Sequence, residues 1–256
     1  MPLVSWRTDG LVSTLTLERP EALNAMSEEM AVEFSRAVRL LALERSKVVI
    51  LQGRGPAFCA GGDLAFIEKN RLRKGSILAP LMRRFYSSFL SIRALPQATL
   101  AKIHGPAVGA GLCLALACDL RVVAAEARLG FNFVRLGLNP GMGAWPLARA
   151  AFGDARAREL LLTGRFFTGK DMLAWGGACA GAAGARALDA VALKLARSVA
   201  DGSGKSLRFL KSEMSLGGGL APYLRLEAEG QAEAFKGPDV SEGLSALRDR
   251  RLPRFS

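Results

Sequence analysis

"RGPAFCAGGDL" occupies residues 54–64, directly after the apolar run Val48-Val49-Ile50-Leu51. A short apolar run bounded by glycine and proline reads as a strand covered on both faces, as in a parallel sheet between helices. The chain then passes through three glycines, a proline and a cysteine before Asp63 and Leu64. A second junction of this kind is "HGPAVGAGLCLALACDL", residues 104–120, which follows a candidate strand at Thr99–Ile103. Neither junction has the glycine spacing of a phosphate loop or a dinucleotide fingerprint. Small residues at a strand-to-helix turn leave backbone N–H groups accessible, and a helix N-terminus aims those donors at an anion or a polarised carbonyl. Two such donors, one from each turn, would make an oxyanion hole. Taken alone, the glycines serve equally well for tight turns and close helix packing.

Working outward, Thr8-Asp9-Gly10 separates the β-prone runs Leu3–Arg7 and Leu11–Leu17 and predicts a hairpin. Residues 19–26 form a loop, and Ser27 caps a helix with the apolar stripe Met30, Phe34, Ala37, Val38 and Leu41. A helical stretch runs from Asp63 to about Lys74, overlapped from Arg71 to Ala79 by an expected mobile loop, and a helix covers Pro80–Ala94. The second turn leads into a helix over Val108–Cys118 and a strand over Leu120–Val123. Strand–helix–strand repetition predicts an α/β fold with right-handed crossovers. Beyond Trp145 the pattern is helical, with segments at Leu147–Phe152, Ala155–Thr163, Lys170–Trp175 and Arg186–Val199. Asp201-Gly202-Ser203-Gly204 marks a hinge. The helices beyond it, Ser206–Ser215, Tyr223–Phe235 and Ser241–Arg248, have few partners of their own, so they are expected on a neighbouring subunit or back on the core. The division is thus a core over residues 1–200 and a helical region over 201–256.

With 256 residues, half of them hydrophobic, the chain can bury one substantial core. The net charge of +12 suits either a polyanion partner or a scattered arginine-rich surface. Its basic clusters lack the aromatic interleaving of a base-stacking surface, so a nucleic-acid partner is not expected. The four cysteines form no CxxC pair, and Cys113 and Cys118 lie in an apolar segment with no histidine nearby, which argues against a metal site. The N-terminal residues lack a signal pattern and the longest apolar run is too short for a bilayer. The expectation is a soluble cytoplasmic protein with no membrane partner.

"ERPEALNAM", "FCAGGDL", "HGPAVGAGLCLALACDL", "LGFNFVRLGLNPGMG" and "ARARELLLTGR" occur in this order. Together they resemble the enoyl-CoA hydratase/isomerase (crotonase) family. That resemblance implies a spiral of ββα units with a helical C-terminal trimerisation region, an acyl-CoA thioester as ligand, and a homotrimer or hexamer. No separate cofactor is implied, since CoA is part of the substrate. Position by position, it implies oxyanion donors at the backbone amides of Ala60 and Ala110. CoA contacts would come from Ala22, Leu23, Phe58, Ala60, Gly61 and Asp63, with Asp63 also capping the following helix. Phe235 and Lys236 would close over CoA, from the same or a neighbouring subunit.

Hydratases of this family use two glutamates, and matching the motifs puts Cys113 and Phe133 at those positions. Water addition needs one group to activate water and one to protonate carbon, each contributing about 10²–10⁴. Phenylalanine can do neither, and Cys113 lies among leucines and alanines that predict a raised pKa and an inert thiol. The remaining polar candidates are Glu68, Asn132 and Asn139, with structural roles as the alternative for each. His104 and Asp119 are expected to be structural. Enolate-forming chemistry, isomerisation or decarboxylation, therefore fits better than hydration. The alternatives are an acyl-CoA-binding protein without turnover, or an RNA-binding relative suggested by the charge.

Overall fold

The chain enters the fold through the expected hairpin: β1 (Val4–Asp9) pairs antiparallel with β2 (Val12–Leu17) across Gly10, whose φ is 57°. The computed structural model describes residues 2–70, 72–214 and 220–255; of the expectations above, those on Arg71, Ser215 and the side chain of Tyr223 lie outside the described residues. Helix α1 (Glu28–Leu41) starts where Ser27 Oγ accepts from the Met30 amide, at 3.2 Å, and buries the whole predicted stripe. Strands β3 (Val48–Gly53) and β4 (Ala98–Ile103) follow, separated by α2 (Leu64–Asn70) and α3 (Gly75–Leu90). Next come β5 (Ala107–Val108), α4 (Ala110–Leu116), β6 (Leu120–Ala124) and β7 (Arg128–Gly130). The remaining elements are α5 (Ala144–Thr163), β8 (Phe166–Thr168), α6 (Gly169–Ala174), β9 (Ala180–Ala182), α7 (Ala185–Ala200), α8 (Gly204–Glu213), α9 (Leu220–Ala234) and α10 (Pro238–Arg248).

The main sheet has the order β1-β2-β3-β4-β6-β9, parallel beyond the first pair. A second sheet, β5-β7-β8, stands beside it. Val48, Val49 and Leu51 are fully buried, as a strand covered on both faces requires. Burying each such side chain is worth about 1.5–3 kcal/mol, which makes β3 the spine of the core.

Three expectations change. Residues 75–79 are helical rather than loop: α3 begins at Gly75 and carries Pro80 inside it. Proline marks helix starts so strongly that Pro80 obscures the true beginning, which is decided by Leu78, Leu81, Met82 and Phe85 finding apolar partners. The predicted helix at Val108 begins at Ala110 instead. Val108 is already paired with Gly130 in the second sheet, and Gly109 (φ 53°, ψ −120°) turns the chain between the two. The short strands β7, β8 and β9 were not expected at all; each has only three residues, too few for alternation to register. The two helices foreseen between Leu147 and Thr163 are present, broken at Gly153 (φ 75°, ψ 169°).

The C-terminal helices return to the core at α8. Lys211 makes an ion pair with Asp119, which also accepts from the Thr99 amide (2.7 Å) and hydroxyl (2.8 Å). Lys47 Nζ donates to the Gly202 carbonyl at 3.0 Å. Asp119 is thus the hydrogen-bonded structural acid expected of it. Among the described residues no helix is long and apolar enough to cross a membrane.

Candidate active site

The two glycine turns lie side by side and are stitched together by backbone hydrogen bonds. The Cys59 amide donates to Pro106 O (3.1 Å) and the Val108 amide to Cys59 O (3.0 Å). Gly111 lets helix α4 approach this closely, because a Cβ there would strike the Cys59 carbonyl. Gly61 adopts φ 103°, and a Cβ on it would sit 2.7 Å from Val108 O and 3.6 Å from Ala110 N. Of the two roles the sequence left open for the glycines, the contacts show close packing. They let the two turns pack closely, since side chains at Gly61 and Gly111 would strike the Val108 and Cys59 carbonyls. Ala110 is the first residue of α4, so its N–H is one of those an α-helix cannot satisfy internally.

Both turns open on a cleft of about 800 Å³, the right size for a small-molecule site. Ala60, Gly61, Ala110, Asn132 and Asn139 line it, with Ala22, Leu23 and Asp63 at the loop side. The expected site residues converge there with four exceptions. Phe58 is fully buried in the core behind its turn and does not line the cleft. Glu68 points the wrong way: α2 presents Phe66, Ile67 and Asn70 to the cleft, which leaves Glu68 on the exposed side of a 3.6-residue period. Phe235 and Lys236 stand at the end of α9 outside this chain's cleft. Phe235 is 71% exposed and Lys236 pairs with Glu233 at 2.9 Å.

The Ala60 amide has a partner of its own, donating to the Leu23 carbonyl at 2.9 Å. Leu23 and Asn24 both hold positive φ, 52° and 57°, which costs a non-glycine residue about 1–2 kcal/mol. Asn24 pins this geometry. It is fully buried, its Nδ2 donates to Arg54 O and Ala57 O at 2.9 Å each, and its Oδ1 accepts from the Arg19 amide at 2.9 Å. The "ALNA" loop is thereby bolted to the first turn. Sequence reading missed the role of Asn24, although an asparagine in a loop that needs φ > 0 is a usable signal.

Asp63 does cap α2, accepting from the amides of Ala65 (2.7 Å) and Phe66 (3.4 Å), and it pairs with Arg19. Burial alone would raise its pKa, but the Arg19 and amide hydrogen bonds outweigh it and hold the carboxyl below its ordinary value. A carboxyl depressed by folding stabilises above its unfolded pKa, and that contribution is lost as pH falls through the folded value. Asp63→Asn should therefore destabilise by about 1–2 kcal/mol near neutral pH. In urea melts the gap from the parent should shrink below about pH 4; a gap unchanged by pH would rule the charge out.

Cys113 is fully buried, is not a lining residue, and holds its Sγ 3.8 Å from the Gly141 carbonyl. Burial pushes its thiol far up, so it stays protonated and inert. Cys59 is likewise pushed up to about 12 by burial. Phe133 lines the cleft with its ring against Gly109. The other titratable lining groups among the described residues are Arg19, Glu21, Asp63 and Tyr86. Tyr86, which sequence reading passed over, sets its hydroxyl against Gly141. Burial, and secondarily the neighbouring Cys113, raise its pKa, so it stays protonated and can donate a hydrogen bond.

A family profile described as "Enoyl-CoA hydratase/isomerase" matches residues 7–256. A Thermus thermophilus relative bearing a provisional enoyl-CoA hydratase name is 37% identical over 256 residues, spanning 96% of this chain and 98% of its own. The 1,2-epoxyphenylacetyl-CoA isomerase of Escherichia coli is 32% identical over 250 residues, covering 96% of this chain and 95% of its own. The crystal structure of an enoyl-CoA hydratase from Bacillus anthracis superposes with a TM-score of 0.91 at 28% identity, over 99% of this chain and 98% of that one.

Proposed function

The chain belongs to the enoyl-CoA hydratase/isomerase family, and on that premise we propose that it binds an acyl-CoA thioester and stabilises its enolate, acting as an isomerase or decarboxylase rather than a hydratase. The carrying observation is the meeting of the Ala60 turn and the α4 N-terminus at a large cleft that Phe133 lines and from which the thiol of Cys113 is buried away. The Ala110 amide and the N-terminal end of α4 stabilise negative charge on the thioester oxygen, and the Ala60 amide supplies the second donor. Leu23 O and the thioester oxygen compete for that second N–H, so binding displaces the Leu23 carbonyl. The Tyr86 hydroxyl is the protonated group placed to accompany proton movement in the cleft. Asn132 and Asn139 orient the acyl group through hydrogen bonds. CoA lies along Ala22, Leu23, Gly61 and Asp63, and Phe235 and Lys236 close over it from a neighbouring subunit of a trimer or hexamer.

The engagement of the Ala60 amide by Leu23 favours one second reading, an acyl-CoA binder without turnover. Incubation with saturated, enoyl and malonyl-type CoA thioesters in D₂O, followed by mass spectrometry, separates the two. The proposal expects α-deuteration, double-bond migration or loss of carbon dioxide, with little hydration of crotonyl-CoA. Tight binding with no exchange would establish the silent binder, and efficient hydration would refute the assignment.

A further inference from the structure

Tyr86 lies on α3, half-buried in the wall of the cleft, with its hydroxyl against Gly141, another lining residue. A side chain at position 141 would collide with that hydroxyl, so glycine there leaves it room. The hydroxyl makes no hydrogen bond with any described residue. It is not sealed away either, because the buried side-chain polar atoms without a partner are Asn70 Oδ1, Gln97 Oε1, His104 Nδ1 and Glu213 Oε1. Its proton is therefore open to a molecule in the cleft. The Cys113 sulfur lies 3.8 Å from the Gly141 carbonyl, so hydroxyl and thiol both stand against Gly141, beside the first turn of α4 that Ala110 heads. The lining carboxylates among the described residues are Glu21 and Asp63. Asp63 Oδ1 accepts from the Ala65 and Phe66 amides, its Oδ2 is paired with Arg19, and its lowered pKa makes it a poor base. Glu21 is an exposed side chain 3.9 Å from Arg19 Nε.

We propose that Tyr86 is the catalytic proton donor of a decarboxylation, and that the substrate is a 2-carboxyacyl (malonyl-type) thioester. The assignment rests on the cleft being an enolate-stabilising thioester site and narrows its reaction. Isomerisation begins by taking a proton from carbon, and the lining carboxylates are poorly suited to that task. Decarboxylation makes the same enolate without a base. The bond between C2 and the carboxyl carbon breaks, its electron pair passes into the enolate, and the thioester oxygen carries the charge at the Ala60 and Ala110 amides. Carbon dioxide leaves. The Tyr86 O–H bond then breaks, its proton forms the new C2–H bond, and the phenolate takes a proton back from water. In sum, a carboxyacyl thioester and a proton give a saturated acyl thioester and carbon dioxide. Exchange of the α-proton runs through the same hydroxyl in reverse and requires the phenolate. Burial, and secondarily Cys113, keep that form scarce at neutral pH, so exchange is slower than loss of carbon dioxide.

The test is turnover of methylmalonyl-CoA by the full chain in D₂O. It should yield propionyl-CoA deuterated on a single face of C2, faster than the protein exchanges the α-proton of propionyl-CoA or moves the double bond of a 3-enoyl-CoA. Tyr86→Phe should lower kcat about 10²-fold and leave KM and the calorimetric affinity for propionyl-CoA near those of the parent. It should also scatter the deuterium over both faces, since solvent then supplies it. Gly141→Ala, which displaces the hydroxyl, is the second variant should phenylalanine disturb folding, with the same scatter expected. Parental kcat with one-faced labelling in a folded variant would overturn the role of Tyr86. A loss of propionyl-CoA affinity in step with kcat would show a structural role and overturn it equally. Exchange or double-bond migration outpacing loss of carbon dioxide in the parent would overturn decarboxylation while leaving the enolate reading intact. Failure to turn over or exchange any ester would instead overturn the enolate reading and this inference with it.

Discussion

Ala110→Pro is expected to slow α-proton exchange of a bound acyl-CoA by about 10²–10³-fold without unfolding the protein. Proline has no amide hydrogen, so the substitution deletes the donor at the head of α4 and no side chain that the chemistry uses. The position tolerates it, because Ala110 is the first residue of the helix, where the N–H has no intrahelical acceptor and the proline φ suits a helix. The preceding Gly109 has no Cβ to collide with the proline ring. Ala110→Gly keeps the N–H and should stay within a few-fold of the parent. The same deletion at Ala60 would be ambiguous, since that amide also holds Leu23 O. Isotope exchange read by mass spectrometry, beside thermal melts, separates catalysis from stability. A folded Ala110→Pro variant with undiminished exchange would remove this amide from the mechanism.

Phe133→Glu and Cys113→Glu should behave in opposite ways, although the motif resemblance assigns a hydratase glutamate to each position. Phe133 lines the cleft at the edge of burial, 9% exposed, so a glutamate there reaches solvent and ligand. It should raise crotonyl-CoA hydration by about 10²-fold, the lower end for one positioned acid or base. Cys113 is fully enclosed, and burying an unpaired carboxylate is among the most damaging single changes available to a core. Cys113→Glu should lose several kcal/mol of stability and raise no hydratase activity. Hydration followed at the enoyl-thioester absorbance, with urea melts of both variants, gives the comparison. A stable Cys113→Glu variant that hydrates crotonyl-CoA would show that the thiol faces the substrate after all.

The strands and turns that build the site were legible because each carries a local signal. Val48–Leu51 is apolar on both faces, Ser27 offers its hydroxyl to the first helical turn, and Asp9-Gly10 forces a tight hairpin. The glycine turns were legible as strand-to-helix junctions, while their contact through Cys59 and Val108 is a long-range pairing that periodicity cannot reveal. The same limit hid β7, β8 and β9, and with them the reason that α4 starts at Ala110. Glu68 and Phe58 were misplaced because spacing gives neighbours along the chain but not the direction of a side chain. Tyr86 went unseen because no motif marks it, and only the fold sets its hydroxyl against Gly141 in the cleft wall.

The most direct test is a crystal structure with a non-hydrolysable acyl-CoA thioester analogue. The analogue's carbonyl oxygen should lie about 2.7–3.1 Å from both the Ala60 and Ala110 nitrogens, with the Leu23 carbonyl moved off the Ala60 amide. A carbonyl oxygen bound elsewhere, with Leu23 still holding Ala60, would contradict it.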